Sequence, residues 1–457
     1  MAPARLWIDL EDLFEFATFA TRPSGIQRVV MEISAALGQM RDATDRYGFV
    51  RHDAVRGTFA VVGAEDVSRL FATLSSGGPP HRRRRVAVPR VCGRLRTLSR
   101  RVPGTIRRPL IRALRLQRDA MLAAGEAARE IVRYFRGAGA AKAHGVGSAD
   151  GFARSVRAGD VILALGAPWS HPGYGALIER TRRRFGTRFL LLIHDILPIV
   201  RPEYFPPGVA RTLEPWLEAV LPRADFLIAF SNATAADAGA FIARRRIAAR
   251  VPVVRVPFGG SGLTRVAPVA SARLPRPGTY VLCVSTIEPR KNHALLFRVW
   301  RRLLEERAQD TVPAMVFAGR TGWLVEDLTR QLDSTDNLGG KITVIPDATD
   351  HELAALYRGC LFTMFPSFRE GWGVPVVESL AFGKPCLASN AAAIQEAGGS
   401  LVRYFDPDNV AEAHALTSAL LDDPRRLADW AAEIERAFNP PSWQAWVRAI
   451  LAAVDIA

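Results

Sequence analysis

The sequence predicts an α/β protein made of two successive units, each a parallel sheet covered by helices, with a cleft between them. Length is the first observation behind this: 457 residues are long for one core and comfortable for two. Composition is the second, since 49% hydrophobic and 23% charged residues are ordinary for a globular chain. Pattern is the third. Short apolar runs alternate with helical periodicity nearly throughout, as parallel strands joined by helical crossovers require.

The first unit, 1–262, opens with an apolar run at 6–10 that reads as a strand. A loop ending in Arg22-Pro23-Ser24-Gly25 then enters a helix at 26–37, where Ile26, Val29, Val30, Ile33 and Leu37 make one apolar stripe. Residues from about 75 to 147 break the rhythm, beginning with Gly77-Gly78-Pro79-Pro80, and read as an insertion that is partly helical after Pro109. Strands resume at 161–166, 189–193, 226–230 and 251–257. Residues 263–278, rich in proline and poor in pattern, form the linker. The second unit, 279–435, carries strands at 280–284, 314–318, 341–345, 361–365 and 385–388, with helices at 293–304, 352–357 and 374–382. Residues 436–457 close the chain, with a helix from Ser442 to Val454. Ligands of open α/β sheets bind outside the carboxyl ends of the strands, so the loops that follow strands should face the cleft.

The net charge of +16 is concentrated: 14 arginines and no acid lie between Arg82 and Arg118, leaving the rest of the chain nearly neutral. That excludes a globally basic nucleic-acid binder, and no aromatic side chain lies in this segment to stack on bases. Val86, Val88, Leu95, Leu98, Leu110 and Ile111 interleave with the arginines, a mix that suits an anionic membrane surface at about 1 kcal/mol per cation. A merely solvated insertion is the alternative, because the whole chain prefers arginine, with only four lysines. Cys92, Cys283, Cys360 and Cys386 lie far apart without CxxC spacing, as reduced thiols do, and the histidines lack metal-ligand spacing. Asp9, Glu11 and Asp12 interrupt the first apolar residues, and no apolar run reaches about 18 residues, so neither a signal peptide nor a membrane span is expected. The expectation is a cytoplasmic protein, peripheral on the inner face of the membrane through Arg82 to Arg118.

Three loops carry chemistry. Ser367-Phe368-Arg369-Glu370-Gly371-Trp372-Gly373-Val374 follows a strand and enters a helix near Pro375. Its glycines and the positive helix end make an anion site, with Glu370 on the loop and Glu378 in the first turn. Ser285-Thr286-Ile287-Glu288-Pro289-Arg290-Lys291-Asn292-His293 sets two cations at a helix entry, where they can bind phosphate. Lysine is so scarce here that Lys291 says more than Arg290; the plain alternative is a solvated basic turn with Asn292 as N-cap. His194-Asp195 follows the strand at 189–193, where a buried, satisfied histidine is the alternative to a functional one. Asp406-Pro407-Asp408 has a D-x-D spacing without a metal-site neighbourhood.

Glu370 and Glu378, separated by seven residues, resemble the E-x7-E element of the family 4 glycosyltransferases, and Ser285 to His293 resembles that family's donor-phosphate loop. The likeness is dense over 278–410 and sparser in the first half, at Ser24-Gly25-Ile26-Gln27-Arg28 and Ile193-His194-Asp195. It implies the GT-B fold, with the donor on the second unit, the acceptor on the first, and a C-terminal helix crossing back. It further implies that Arg290 and Lys291 neutralise the departing diphosphate, Glu378 holds the ribose and Glu370 contacts the transferred sugar. The amides of Gly371, Trp372, Gly373 and Val374 would bind sugar hydroxyls and the distal phosphate. Gly25 would face that phosphate, Thr286 would line the donor site and His194 would lie beside the reacting sugar. Many members have Gly-Arg where this chain has Ser285-Thr286, so one phosphate-binding arginine is missing. The implied activity is retaining transfer of a hexose from a nucleotide sugar, GDP-mannose first, without a metal, to a growing surface glycan or a lipid-linked acceptor. A nucleotide-sugar 2-epimerase and a non-catalytic glycan- or nucleotide-binding protein are the alternatives.

Overall fold

A computed structural model describes residues 3–18, 23, 25–40, 46–53, 56–76, 149–171 and 173–456. Its first sheet runs in the order β3-β2-β1-β4-β5-β6-β7, with β1 (Leu6–Asp9), β2 (Tyr47–Asp53), β3 (Thr58–Val62), β4 (Val161–Ala164), β5 (Arg188–Ile193), β6 (Phe226–Ala229) and β7 (Val253–Arg255). All neighbours are parallel except the edge pair β2 and β3. The second sheet, β10-β9-β8-β11-β12-β13, is parallel throughout. Its strands are β8 (Tyr280–Val284), β9 (Ala314–Ala318), β10 (Ile342–Ile345), β11 (Thr363–Phe365), β12 (Cys386–Ser389) and β13 (Arg403–Phe405). The strand order reverses between β1 and β4 in one sheet and between β8 and β11 in the other. Those switch points are where loops part and a ligand can enter.

The central strands are buried on both faces, which is why they read as unbroken apolar runs rather than alternating ones. Helix Gly25–Gln39 buries Val29, Val30, Ile33 and Leu37 against the first sheet. Helix Trp443–Ile456 follows the second unit yet returns to this same core, where Trp443, Trp446, Val447, Ile450 and Val454 are buried. At about 1.5–3 kcal/mol for each large side chain, this is a strong tether between the chain's end and its beginning.

The structure differs from the sequence reading in several places. The hairpin β2–β3 and helix Ala64–Ser76 occupy a stretch left without elements. Prolines at 252 and 257 cut the strand expected at 251–257 to Val253–Arg255, an edge strand with Val254 exposed. The linker is not patternless: Gly262–Arg265 forms a short 3-10 turn whose Leu263 is buried with Tyr280, Leu282 and Leu356 of the second unit. Positions 75 and 76 end a helix. The remainder of the expected insertion, with the basic segment from Arg82 to Arg118, lies outside the described residues.

Candidate functional site

The two loops at the second sheet's switch point lie side by side. The Phe368 amide donates to the Arg290 carbonyl at 2.9 Å. Asn292, at φ 55°, turns the chain from the β8 loop into helix His293–Glu306. Its side chain does not cap that helix, contrary to the simple expectation. The amide instead donates to Pro407 O at 2.8 Å and Pro366 O at 3.3 Å, stitching the loops after β8, β11 and β13 together.

This packing brings Arg290, Lys291 and Glu370 into one buried cluster. Lys291 Nζ lies 2.5 Å from Glu370 Oε1 and Arg290 Nη1 lies 2.6 Å from Glu370 Oε2, each side chain 12% exposed or less. Arg290 also reaches Glu288 Oε1 at 2.8 Å. Burial alone would raise the Glu370 pKa, but the two cations outweigh it and hold the carboxyl at about 2. Burial lowers that of Lys291, against the pull of Glu370. His293, beneath them, is buried and pushed down to about 3, so it is neutral.

The glycine loop is pressed onto the first unit. A Cβ at Gly371 would stand 2.2 Å from the carbonyl oxygen of His194, so only glycine lets these backbones meet. The Gly371 carbonyl accepts hydrogen bonds from Ser231 Oγ at 2.7 Å and Thr234 Oγ1 at 3.1 Å. Glu396 accepts from the Asn232 and Ala233 amides at 2.6 and 2.9 Å, supplying across the cleft a carboxylate for the N-terminus of helix Asn232–Arg244. On the other rim Tyr204 stacks on Phe368 at 5.6 Å, and Trp323 Nε1 donates to Tyr204 O at 2.8 Å. His194 therefore lies at the contact between the units. Its Nε2 is 2.8 Å from Leu165 O, and burial lowers its pKa, which keeps the ring neutral. Asp195 accepts from the Leu197 amide and fixes the loop rather than the imidazole.

The remaining expected residues spread around the same mouth. Helix Val374–Ala381 begins after Gly373, at φ 124°, with no side-chain cap. Glu378 therefore lies one full turn into it and not in the first turn, as the sequence reading had it. Tyr357 donates to Glu378 Oε2 at 2.8 Å, and burial raises this carboxyl's pKa although Arg28 opposes it. Gly25, Arg28, Val374 and Glu378 line one cavity between the units. The Trp372 ring stacks on Phe258 of the first unit at 5.8 Å, so its side chain packs at the interface. Thr286 packs against the chain at Gly322, where a Cβ would stand 2.9 Å from its methyl group.

Several residues here escaped sequence reasoning. Arg28 ends the Ser24-Gly25-Ile26-Gln27-Arg28 stretch, but nothing in the sequence gives it a partner or a role. Tyr357, Asp350 and Glu396 lie inside stretches that resembled family elements, yet their partners are distant in sequence. Glu288 was expected only as a loop residue. Among the described residues no group of three or more His, Cys, Asp or Glu side chains could hold a metal, and Asp406 accepts from the Asp408 amide in a local turn.

Residues 270–437 match the family described as "Glycosyl transferases group 1". Among curated proteins the chain is similar to the serotype-specific mannosyltransferase WbdA of Escherichia coli, with 27% identity over 282 residues, 58% of this chain and 33% of that protein. It is also similar to O-antigen chain mannosyltransferase B of Escherichia coli, at 28% over 53% of this chain and 64% of that protein. A D-inositol 3-phosphate glycosyltransferase of Thermobispora bispora is 32% identical over 43% of this chain and 48% of its own length. The chain spans about a third of the length of WbdA. Among solved structures, Anabaena HepE in complex with UDP and glucose superposes with a TM-score of 0.57 at 14% identity, over 98% of this chain and 100% of that one. TarM superposes at 0.51 with 12% identity, over 66% and 57%. The architecture is the GT-B fold, two Rossmann-like sheets across a cleft, and residues 270–437 are similar to group 1 glycosyl transferases.

Proposed function

We propose that this protein is a retaining glycosyltransferase of family 4 type that moves a hexose, mannose first, from a nucleotide sugar to a growing surface glycan or lipid-linked acceptor. One observation carries the reading: Lys291 and Arg290 converge on Glu370 at a glycine loop, beside a cavity lined by Glu378 and by Gly25 of the opposite unit. The likeness to two mannosyltransferases supports mannose as the sugar.

Transfer breaks the bond between the anomeric carbon and the diphosphate oxygen. Positive charge builds on the ring and negative charge on the leaving group. Lys291 and Arg290 stabilise that negative charge in a site shielded from water, where preorganised charges act most strongly. The acceptor hydroxyl then bonds to the anomeric carbon from the same face, and its proton passes to the departing diphosphate. Glu378 holds the ribose hydroxyls, Glu370 the sugar, and the backbone from Gly371 to Val374 the sugar hydroxyls and distal phosphate. His194, neutral and held by Leu165, lies beside the sugar. The charge neutralisation is assigned to these side chains and not to a metal.

The test is to incubate the protein with GDP-mannose and with UDP-glucose and to follow donor hydrolysis and thermal unfolding. Hydrolysis of GDP-mannose, or a rise in Tm with it, supports the reading; no response to either donor overturns it. Peripheral binding to the inner face of an anionic membrane belongs to the same proposal and rests on the arginines at 82–118. Neutralising Arg82, Arg83, Arg84 and Arg85 should reduce pelleting with anionic liposomes, and unchanged pelleting removes that part.

A further inference from the structure

Helix Gly25–Gln39 presents Gly25, Arg28, Val29 and Glu32 to the cavity between the units, positions 0, 3, 4 and 7 of one helical face. Arg28 is the basic side chain on that face. Its guanidinium crosses to the second unit, pairing with both carboxylate oxygens of Asp350 at the start of helix Asp350–Gly359. The same helix carries Tyr357, which holds Glu378. Arg28 thus lies one turn beyond Gly25 and beside the carboxylate assigned to the ribose.

The charge balance around the donor site makes this residue consequential. Arg290 and Lys291 are matched by Glu288 of their own loop and by Glu370 of the neighbouring glycine loop, so that cluster is formally neutral. Residue 286, in the same loop as Lys291, is an uncharged threonine. Arg28 uses two N–H groups on Asp350, and a guanidinium has five. Its side chain is 25% exposed and borders the cavity.

We propose that Arg28 is a diphosphate-binding residue, adding from the first unit a guanidinium to the donor cavity. The inference rests on the donor-site reading above. Asp350 occupies two of the guanidinium's donors and leaves three for phosphate.

The experiment measures binding of GDP, UDP, guanosine and uridine to the full chain by calorimetry, for the wild type and for Arg28→Ala, Arg28→Lys and Asp350→Asn. With whichever diphosphate the wild type binds, Arg28→Ala should weaken binding about tenfold or more, since hydrogen bonds to charged groups are lost. The matching nucleoside should change less than about twofold, and Arg28→Lys should recover part of the difference. Asp350→Asn keeps the cation and should retain most of the preference for diphosphate over nucleoside. Equal losses for diphosphate and nucleoside in Arg28→Ala would mark Arg28 as a structural strut and overturn the proposal. So would an Asp350→Asn variant that reproduces the full Arg28→Ala defect. A wild type that binds neither diphosphate overturns the donor-site reading itself, a result distinct from either of these.

Discussion

Glu370 sits between two cations with almost no water around it, so replacing it by glutamine tests the electrostatics of the site directly. In the folded chain its pKa falls from 4.5 to about 2, because Arg290 and Lys291 more than offset the cost of burial. A depression of that size corresponds to ~3 kcal/mol of stability at neutral pH. Removing one member of a buried ion pair typically costs about 3–5 kcal/mol, an independent figure that agrees. Glu370→Gln should therefore lose ~3 kcal/mol at pH 7, a fall in Tm of roughly 10 °C for a unit of this size. The pH dependence gives the sharper check. A carboxyl with a depressed folded pKa stabilises above its unfolded value and loses that contribution as pH falls through the folded one. The gap between wild type and variant should shrink to ~2 kcal/mol by pH 3.5 and nearly close below pH 2. Thermal and urea unfolding at pH 7 and pH 3.5 measure both. A Tm change under about 2 °C at pH 7, or a gap that ignores pH, would refute the claim that Glu370 is held by these two cations.

Three further outcomes are expected. Gly371→Ala sets a Cβ 2.2 Å from His194 O; forcing the units apart should cost about 1–3 kcal/mol and about a hundredfold in turnover, read by unfolding and donor hydrolysis. Lys291→Ala should cut turnover by about a hundredfold or more while moving donor affinity little, whereas Glu378→Ala should weaken nucleotide-sugar binding about tenfold. Steady-state kinetics with calorimetry separates the two, and wild-type values in both would end the site assignment. Asp12, raised to about 7 by burial despite its bond from the Ala167 amide, loses stability for the fold as pH rises from 3.8 to 7. Asp12→Asn should thus be more stable than wild type at pH 8, by up to ~4 kcal/mol, and no more stable near pH 4 in urea titrations.

The alternation of apolar runs with helical stripes was enough to name the α/β class and most strands, and the glycine loop with its seven-residue spacing to name the two glutamates, because each is a local signal. β9, Ala314–Ala318, was read to the residue, since four consecutive buried positions leave little ambiguity about where a strand lies. The short edge elements were harder: β7 was read too long, at 251–257, and β13 buries too little apolar surface to show in the pattern. Lys291 stood out as one of only four lysines, whereas Arg28, though inside a stretch that resembled the family, carried no local sign of its partner.

The sequence by itself determined that a glycine loop, two adjacent cations and two spaced glutamates belong to the second unit. It did so through residue type and spacing, which are properties of a continuous stretch of chain. Only the tertiary structure decided that Glu370 neutralises both cations, that Gly371 is the point where the two backbones touch, and that Arg28 reaches across to Asp350. Those pairings join residues 79 to 322 positions apart. Coulomb energy and steric contact depend on distance in space, and distance in space is set by how two sheets pack, which no local pattern encodes.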